Sequence, residues 1–132
     1  MRKIFFLTIN TLILMLSVSC APIDYSRDIY GYLEGQVTIG PICPVERPDN
    51  PCPVPPEAYA AREVIISQSK NIVARAKLNI FDGKYWIALR PGRYTIDISR
   101  VGMDRSAGLP KEIEILRGQT AHLDIEIDTG IR

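Results

Sequence analysis

The sequence predicts an all-β fold, a seven-stranded antiparallel β-sandwich. Apolar and polar residues alternate in short runs, as they do in strands that bury one face. Glycine and proline separate these runs, and after residue 30 no stretch of ten residues repeats its apolar positions with the helical period. Strands with one dry face and one wet face are typical of antiparallel sheets that pack against each other.

The alternation defines the strands and their buried faces. The predicted strands are Tyr32–Ile39, Glu63–Ser67, Ile72–Ile80, Lys84–Arg90, Arg93–Arg100, Lys111–Leu116 and Thr120–Asp128. The apolar face of the third strand consists of Ile72, Ala74, Ala76, Leu78 and Ile80. Elsewhere we expect burial of Ile87, Leu89, Tyr94, Ile96, Ile98, Leu123 and Ile125. We expect no helix longer than about two turns after residue 30.

Two connections between strands can be predicted from their turn residues. A three-residue loop at 117–119 would join the last two strands in a hairpin and place Ile113 opposite Leu123. Gly118 can supply the positive φ that such loops need. Pro91-Gly92 is a type II turn signal, whose twist suits tight hairpins poorly, so we expect this connection to cross between the two sheets.

The N-terminus has the pattern of an export signal. Arg2-Lys3 is a short positive region, and the apolar stretch Ile4–Leu16 follows it. This stretch is shorter than the ~20 residues of a relaxed membrane span. We therefore interpret residues 1–19 as a signal peptide, residues 20–30 as a tether, and residues 31–132 as the folded domain.

The segment Leu16-Ser17-Val18-Ser19-Cys20 resembles the lipobox of bacterial lipoproteins. The resemblance implies that the Cys20 thiol is lipidated and that the membrane is a partner through this lipid. Ser17 departs from the pattern, because Leu is usual at that position. We expect an exported protein held by lipid at the cell membrane or outer envelope, and soluble secretion stays open as the alternative.

Composition and charge exclude several classes of function. The 132 residues correspond to about one domain. Without Arg2 and Lys3, 14 basic residues face 15 acidic ones, so the exported chain has a net charge of −1 and no basic character for nucleic-acid binding. One histidine and three cysteines offer little for metal or nucleophilic chemistry. We therefore predict no catalytic residue, no cofactor and no metal, and hence a protein that is not an enzyme.

The run Asp82-Gly83-Lys84-Tyr85-Trp86-Ile87-Ala88-Leu89-Arg90-Pro91-Gly92-Arg93-Tyr94-Thr95-Ile96 resembles the signature of carboxypeptidase regulatory-like domains. Gly35-Gln36-Val37 and Gly118-Gln119-Thr120 fit the same pattern, so the resemblance covers about residues 31–128. It implies a transthyretin-like (prealbumin-like) β-sandwich and says little about activity. The segment Gly40–Pro48 and the C-terminal residues Asp128–Arg132 are similar to those of small exported bacterial proteins.

The loop from Gly40 to Glu57 is the least generic segment. It holds seven of the ten prolines and two of the three cysteines. If Cys20 carries lipid, Cys43 and Cys52 remain as a pair in a compartment that permits disulfides. The turn formers between them can bring the ends together. This loop is either a rigid surface presented to a partner or a stapled connector, and a zinc site would need two further ligands.

Few other residues are candidates for binding. In the predicted hairpin Glu114 lies opposite His122, which suggests a weak divalent-ion site or, more simply, a solvated face. If Tyr85 is in the core, Trp86 points outward and offers a stacking platform, although sandwiches also bury such residues under loops. We interpret Lys84, Arg90 and Arg93 as a solvated basic rim near Pro91-Gly92.

Two classes of function follow from these residues. The first is a non-catalytic, lipid-anchored β-sandwich with a binding or structural role at the bacterial cell envelope. The second is an accessory carbohydrate-binding module in which Trp86 contacts the ligand. An exposed aromatic platform would favour a glycan partner, whereas a binding surface at the proline loop would favour a protein partner.

Overall fold

Two β-sheets and one short helix make up the part of the chain that the computed structural model describes, residues 29–45 and 47–132. The strands are β1 (Gly31–Gly40), β2 (Glu63–Gln68), β3 (Asn71–Lys77), β4 (Lys84–Leu89), β5 (Gly92–Ile98), β6 (Lys111–Ile115), β7 (Thr120–His122) and β8 (Ile125–Asp128). Helix α1 is Pro56–Ala60, shorter than two turns as predicted. Within the described ranges no helix has the length and apolar character to cross a membrane. The predicted signal peptide and residues 20–28 of the tether lie outside those ranges.

Strand β1 is central to the first sheet. It pairs with β4 antiparallel on one side and with β7 and β8 parallel on the other. The second sheet has the order β3-β2-β5-β6 and is antiparallel throughout. The predicted β-sandwich is confirmed, with eight strands in place of seven and with two parallel pairings in place of a purely antiparallel arrangement.

The core lies between the two sheets. Its fully buried side chains include Leu33, Val37, Val64, Ile66, Ile96 and Ile115. The expected burial is confirmed for Leu89, Tyr94, Ile96, Ile98, Leu123 and Ile125, whereas Ile87 is half-buried against the core. Gly35 lets the Leu123 carbonyl, between β7 and β8 of the same sheet, lie against β1, because a side chain at Gly35 would collide with that carbonyl.

The predicted hairpin between the last two strands was wrong. Strand β6 pairs with β5, where Ile113 lies opposite Tyr94, and the chain then crosses to the first sheet at residues 116–119. Ile115 and Leu123 are both buried although β6 belongs to the second sheet and Leu123 follows β7 of the first. The alternation of apolar and polar residues predicts which face of a strand is buried, but it does not predict which of the two sheets the strand joins.

The crossing at Pro91-Gly92 is as predicted. Strand β4 belongs to the first sheet and β5 to the second, so the chain changes sheets at this turn. Gly92 begins β5 opposite Ile115, the last residue of β6. The third predicted strand is shorter than expected, since β3 ends at Lys77 and leaves Ile80 in the following turn.

The apolar face that we predicted for β3 is only partly buried. Ala76 and Leu78 are in the core, but Ile72 is 53% exposed. The β2–β3 ladder has a register shift between Ile66 and Ser67, and β3 lies at the edge of its sheet. Because a bulge changes the direction in which following side chains point, the predicted period fails at this end of the strand.

A buried ion pair between Arg62 and Asp104 ties the start of β2 to the loop after β5. The Arg62 Nε and Nη2 groups donate to the two Asp104 carboxylate oxygens at 2.7 and 2.9 Å, and Nη1 donates to the Ala58 carbonyl. Burial alone would raise the pKa of Asp104, but hydrogen bonds from Arg62 and from the Val101 amide outweigh it and hold that pKa below its ordinary value.

Candidate functional site

The candidate site lies on the outer, solvent-facing side of the first sheet. The register between β4, β1 and β7 sets Trp86 opposite Glu34, and Glu34 opposite His122. These three side chains therefore form a row across the sheet. In the neighbouring row Lys84 lies opposite Gln36.

Trp86 points outward, as the alternation with buried Tyr85 predicts. Its side chain is 60% exposed, and its ring stacks on Tyr32 with centroids 5.2 Å apart and planes inclined by 21°. Tyr32 is two residues before Glu34 on β1, so the aromatic pair is the diagonal contact that neighbouring strands allow. One face of the indole is thus supported by Tyr32.

The Asp124 carboxylate lies beside this row, in the break between β7 and β8, and is held there by a backbone hydrogen bond. The Leu123 carbonyl accepts a hydrogen bond from the Tyr85 hydroxyl at 2.6 Å. The Gln36 amide donates instead to Asp124 Oδ1 at 2.9 Å. The Tyr85 and Asp124 side chains thus take the place of one backbone hydrogen bond between β1 and the last strand. This explains why the predicted strand Thr120–Asp128 is divided in two.

The polar groups of the site are coupled to one another. His122 Nε2 lies 3.0 Å from Asp124 Oδ1, and Nδ1 lies 3.9 Å from Glu34 Oε1. The Gln36 amide and then the His122 side chain lower the pKa of Asp124, so this carboxylate is ionised at neutral pH. Burial, with a smaller contribution from Asp124, raises the pKa of Tyr85 and keeps its hydroxyl a donor.

These residues line a groove of about 660 Å³, which we name the Trp86 groove. Its lining residues are Glu34, Gly35, Gln36, Lys77, Leu78, Asn79, Lys84, Tyr85, Trp86, His122 and Asp124. The volume falls within the roughly 300–1,000 Å³ that is usual for small-molecule sites. Tyr32 is not part of the lining, so it is the indole face turned away from Tyr32 that the groove offers to a ligand.

The arrangement combines an apolar wall with hydrogen-bonding groups. The Trp86 ring can stack on a flat or weakly polar ring. Beside it, the carboxylates of Glu34 and Asp124 accept hydrogen bonds, and the Lys77 and Lys84 ammonium groups donate them. Among residues 29–45 and 47–132, no group of three or more His, Cys, Asp and Glu is placed to hold a metal ion.

The divalent-ion hypothesis for the last two strands was wrong in its geometry. Glu114 lies opposite Arg93 in the second sheet, and His122 lies opposite Glu34 in the first. The polar partners of His122 are therefore Glu34 and Asp124. Only the pairing of β7 with β1 brings them together, and strand alternation in the sequence contains no signal for that pairing.

The predicted basic rim near Pro91-Gly92 contains only two of its three expected residues. Lys84 begins β4 and its Nζ lies 3.4 Å from Asp82 Oδ2, at the end of the strand far from Pro91-Gly92. Arg90 and Arg93 remain beside the crossing, as predicted.

Cys43 and Cys52 form the expected disulfide, with Cα atoms 6.3 Å apart. The loop doubles back between them at residues 47–50, where the Asn50 amide donates to the Arg47 carbonyl. Ile42 and Val54, just outside the two cysteines, are partly buried against the core. The loop is thus anchored on both sides of its bridge. The predicted lipidation site, Cys20, lies outside the described residues.

Replacing both Cys43 and Cys52 with alanine should lower stability without unfolding the sandwich. The chain-entropy model gives ~2–3 kcal/mol for a loop of this length, and we expect the lower end because proline already restricts the unfolded loop. Thermal denaturation followed by circular dichroism measures this. Two free thiols in freshly exported wild-type protein, found by mass spectrometry without reduction, would contradict the prediction.

Comparison with known proteins gives weak matches of fold. No protein-family model matches the chain, and no curated protein matches it. The chain is similar to the Bacillus anthracis TIE protein, with a TM-score of 0.49, 14% identity, and coverage of 76% of this chain and 16% of that one. The minor pilin GBS52 of Streptococcus agalactiae gives a TM-score of 0.49 and 14% identity over 76% of this chain and 44% of that one.

A third similar structure is a DUF3823 family protein from Parabacteroides merdae. Its TM-score is 0.45, its identity is 18%, and the match covers 75% of this chain and 46% of that one. The chain thus spans less than half the length of each of these structures. Identities of 14–18% assign no activity or partner to this chain.

Proposed function

We propose that this chain is an exported, lipid-anchored and non-catalytic binding domain of the bacterial cell envelope, with its ligand site in the Trp86 groove. The observation that carries the proposal is the exposed Trp86 ring, which is supported by Tyr32 and lies beside the fixed carboxylate of Asp124. Unlike Phe81, which is more exposed, Trp86 lines a groove together with several polar side chains, the combination that is typical of ligand sites.

Two features support the proposed location. The Cys43–Cys52 disulfide is typical of oxidising compartments outside the cytosol. The segment Leu16–Cys20 resembles a lipobox and follows a signal-like apolar stretch. We also keep the carboxypeptidase regulatory-like family as the proposed relationship, on the Asp82-Gly83 turn and the Pro91-Gly92 crossing between sheets.

The ligand class that the groove favours is a carbohydrate, which would make the chain an accessory carbohydrate-binding module. A sugar ring has one face of C–H groups that can stack on the Trp86 indole, and hydroxyls that can reach the polar side chains beside it. The Glu34 and Asp124 carboxylates accept hydrogen bonds from such hydroxyls, and Lys84 donates to ring or hydroxyl oxygens. The site combines negatively charged acceptors with positively charged donors, and this combination suits a neutral ligand that has many hydroxyl groups.

Trp86→Ala should abolish or weaken glycan binding at least tenfold. Covering one indole face removes on the order of 100 Å² from water, or about 2.5 kcal/mol at 25 cal/mol per Å². Affinity electrophoresis in gels containing cellulose, xylan, chitin or peptidoglycan derivatives measures it, and we expect at least one polymer to retard the wild-type protein. Phe81→Ala is the matched control, because Phe81 is 82% exposed and does not line the groove. Equal retardation of wild type and Trp86→Ala would contradict the proposed site.

Cys20→Ser should move the protein from the membrane fraction to the soluble fraction. The physical reason is that covalent acyl chains hold a protein stably at the membrane, whereas a few basic side chains bind anionic lipid only weakly and reversibly. Fractionation of the producing cells and intact-mass measurement of the wild type check the prediction. Membrane retention of the variant, together with a wild-type mass that shows no acylation, would contradict it.

A further inference from the structure

One end of the sandwich receives the chain from the N-terminal segment, and we name it the entry end. Ile29 and Tyr30 precede β1 there, and the Tyr30 carbonyl accepts a hydrogen bond from the Gly118 amide at 2.9 Å. The Tyr32 amide donates to the Gln119 carbonyl at 2.8 Å. The crossing between β6 and β7 is therefore held against the beginning of β1.

Four basic side chains collect at the entry end. Lys70 occupies the β2–β3 turn, where Ser69 and Lys70 both have positive φ. Arg90 and Arg93 flank the β4–β5 crossing, and Arg117 lies in the β6–β7 crossing. All four are exposed.

These turns are neighbours in the fold. The Gln68 side-chain amide donates to the Arg93 carbonyl at 3.4 Å, which joins the β2–β3 turn to the start of β5. Gly92 lies opposite Ile115, which places the β4–β5 crossing beside the end of β6.

The described carboxylates, unlike these four basic side chains, are not concentrated at the entry end. Among the described residues, Glu114 lies opposite Arg93 in the register of β5 and β6, and Glu112 lines a hollow that also contains Arg93 and Ser69. None of the four basic side chains forms an ion pair with another described residue. The remaining carboxylates of residues 29–45 and 47–132 lie along the sheet faces or toward the opposite end, among them Glu34, Asp82, Asp97, Asp104, Asp124 and Asp128.

We propose that the entry end docks on the anionic phospholipid headgroups of the membrane that holds the lipid of Cys20. This inference rests on the proposed lipid anchor. Each lysine or arginine near an anionic membrane contributes about 1 kcal/mol, or about fivefold in partition, and the attraction acts within a Debye length of about 8–10 Å. Basic residues at the far end of the molecule would not reach that distance.

The length of the tether makes the docking selective. Residues 20–28 span at most about 30 Å when fully extended, so an anchored domain stays close to the membrane in any orientation. Only contact through the entry end brings Lys70, Arg90, Arg93 and Arg117 to the headgroups together. Leu116, 46% exposed beside Arg117, supplies an apolar contact for the interfacial region. In this orientation the disulfide loop, at the opposite end, points away from the membrane.

Nuclear magnetic resonance of the lipidated protein in nanodiscs tests the docking. A nitroxide-labelled lipid broadens amides close to the membrane surface. In discs with one quarter anionic phosphatidylglycerol, we expect the amides of residues 69–70, 90, 92–93 and 116–119 to broaden at least threefold more than those of the disulfide loop. The difference should disappear in phosphatidylcholine discs and in 0.5 M NaCl, because salt screens the attraction.

A matched pair of fourfold variants separates position from net charge. Replacing Lys70, Arg90, Arg93 and Arg117 with glutamine should abolish the preferential broadening. The control replaces Arg47, Arg100, Arg105 and Lys111, which are exposed and lie at or near the opposite end, with the same change in charge. Preferential broadening that survives the first variant, or uniform broadening in the wild type, would overturn the proposal.

A second experiment separates failure of the docking from failure of the lipid anchor. The mature chain, residues 20–132 with Cys20→Ser, is titrated with the same anionic lipid as vesicles. We expect broadening of the same entry-end amides. Replacing the four basic residues of the entry end with glutamine should lower the partition coefficient at least tenfold. If the wild type proves unacylated but this result holds, the anchor is wrong and the docking surface stands. Broadening confined to any other face would overturn the docking surface itself, and so would no binding to anionic vesicles.

Discussion

Asp104→Ala should lower the free energy of unfolding by about 3–5 kcal/mol, the largest effect that we expect from a single substitution. The Asp104 side chain is only 2% exposed, and it is the carboxylate that pairs with the buried Arg62 guanidinium. Removing it leaves a buried positive charge without compensation, which costs far more than the net contribution of the pair. Urea denaturation followed by circular dichroism measures the change.

Two further variants test whether the uncompensated buried charge causes this loss of stability. Arg62→Met combined with Asp104→Ala should be more stable than Asp104→Ala alone, since the uncompensated charge is removed with its partner. Arg75→Ala should cost no more than about 1 kcal/mol, because its contact with Glu63 is 3.6 Å long and half exposed. If Asp104→Ala lost less than about 1 kcal/mol, the ion pair would have no structural role.

The same pair predicts a dependence on pH. The pKa of Asp104 is below its ordinary value of 3.8 in the folded chain. Its contribution to stability is therefore complete above that ordinary value and is lost as pH falls through the lower folded pKa. The stability difference between wild type and Asp104→Ala should shrink in that acidic range.

Ile96→Ala should cost about 2–5 kcal/mol. Ile96 is fully buried, lies opposite Ile66 of β2, and belongs to the second of the two sheets that enclose the core. Truncation removes buried methyl and methylene groups and leaves a cavity between packed sheets. The free energy of unfolding in urea is again the measurement.

Ile72→Ala provides a matched control within the same sheet. Ile72 is 53% exposed, and its truncation should change stability by no more than about 0.5 kcal/mol. A loss of less than 0.5 kcal/mol for Ile96→Ala, or an equal loss for both variants, would mean that the buried face of β5 has been assigned incorrectly.

The sequence predicted strands and faces better than it predicted their partners. Alternation located β1, β4 and β5 and the inward direction of Tyr94 and Ile96, because burial of one face requires a period of two. It also set Trp86 outward once Tyr85 was assigned to the core. The pairing of β7 with β1 was missed, because alternation is the same whichever sheet a strand joins.

The parts that sequence reasoning missed depend on contacts between distant residues. Arg62 and Asp104 are 42 positions apart, and neither belongs to a strand. The division of the last strand depends on the Tyr85 hydroxyl, which takes a carbonyl that would otherwise bond to β1. The grouping of Glu34, His122 and Asp124 beside Trp86 follows from the parallel pairing and has no local signal.

The most direct test of the proposed binding site uses the one tryptophan of the chain, whose indole N–H gives a single resonance. Titration with soluble oligosaccharides from chitin, xylan, cellulose and peptidoglycan should shift this resonance, together with the amides of Glu34, Gln36 and Asp124. The shifts should saturate with one dissociation constant, because these groups line one groove. A panel that leaves the indole resonance unmoved, or a saturable response confined to residues outside the Trp86 groove, would contradict the account.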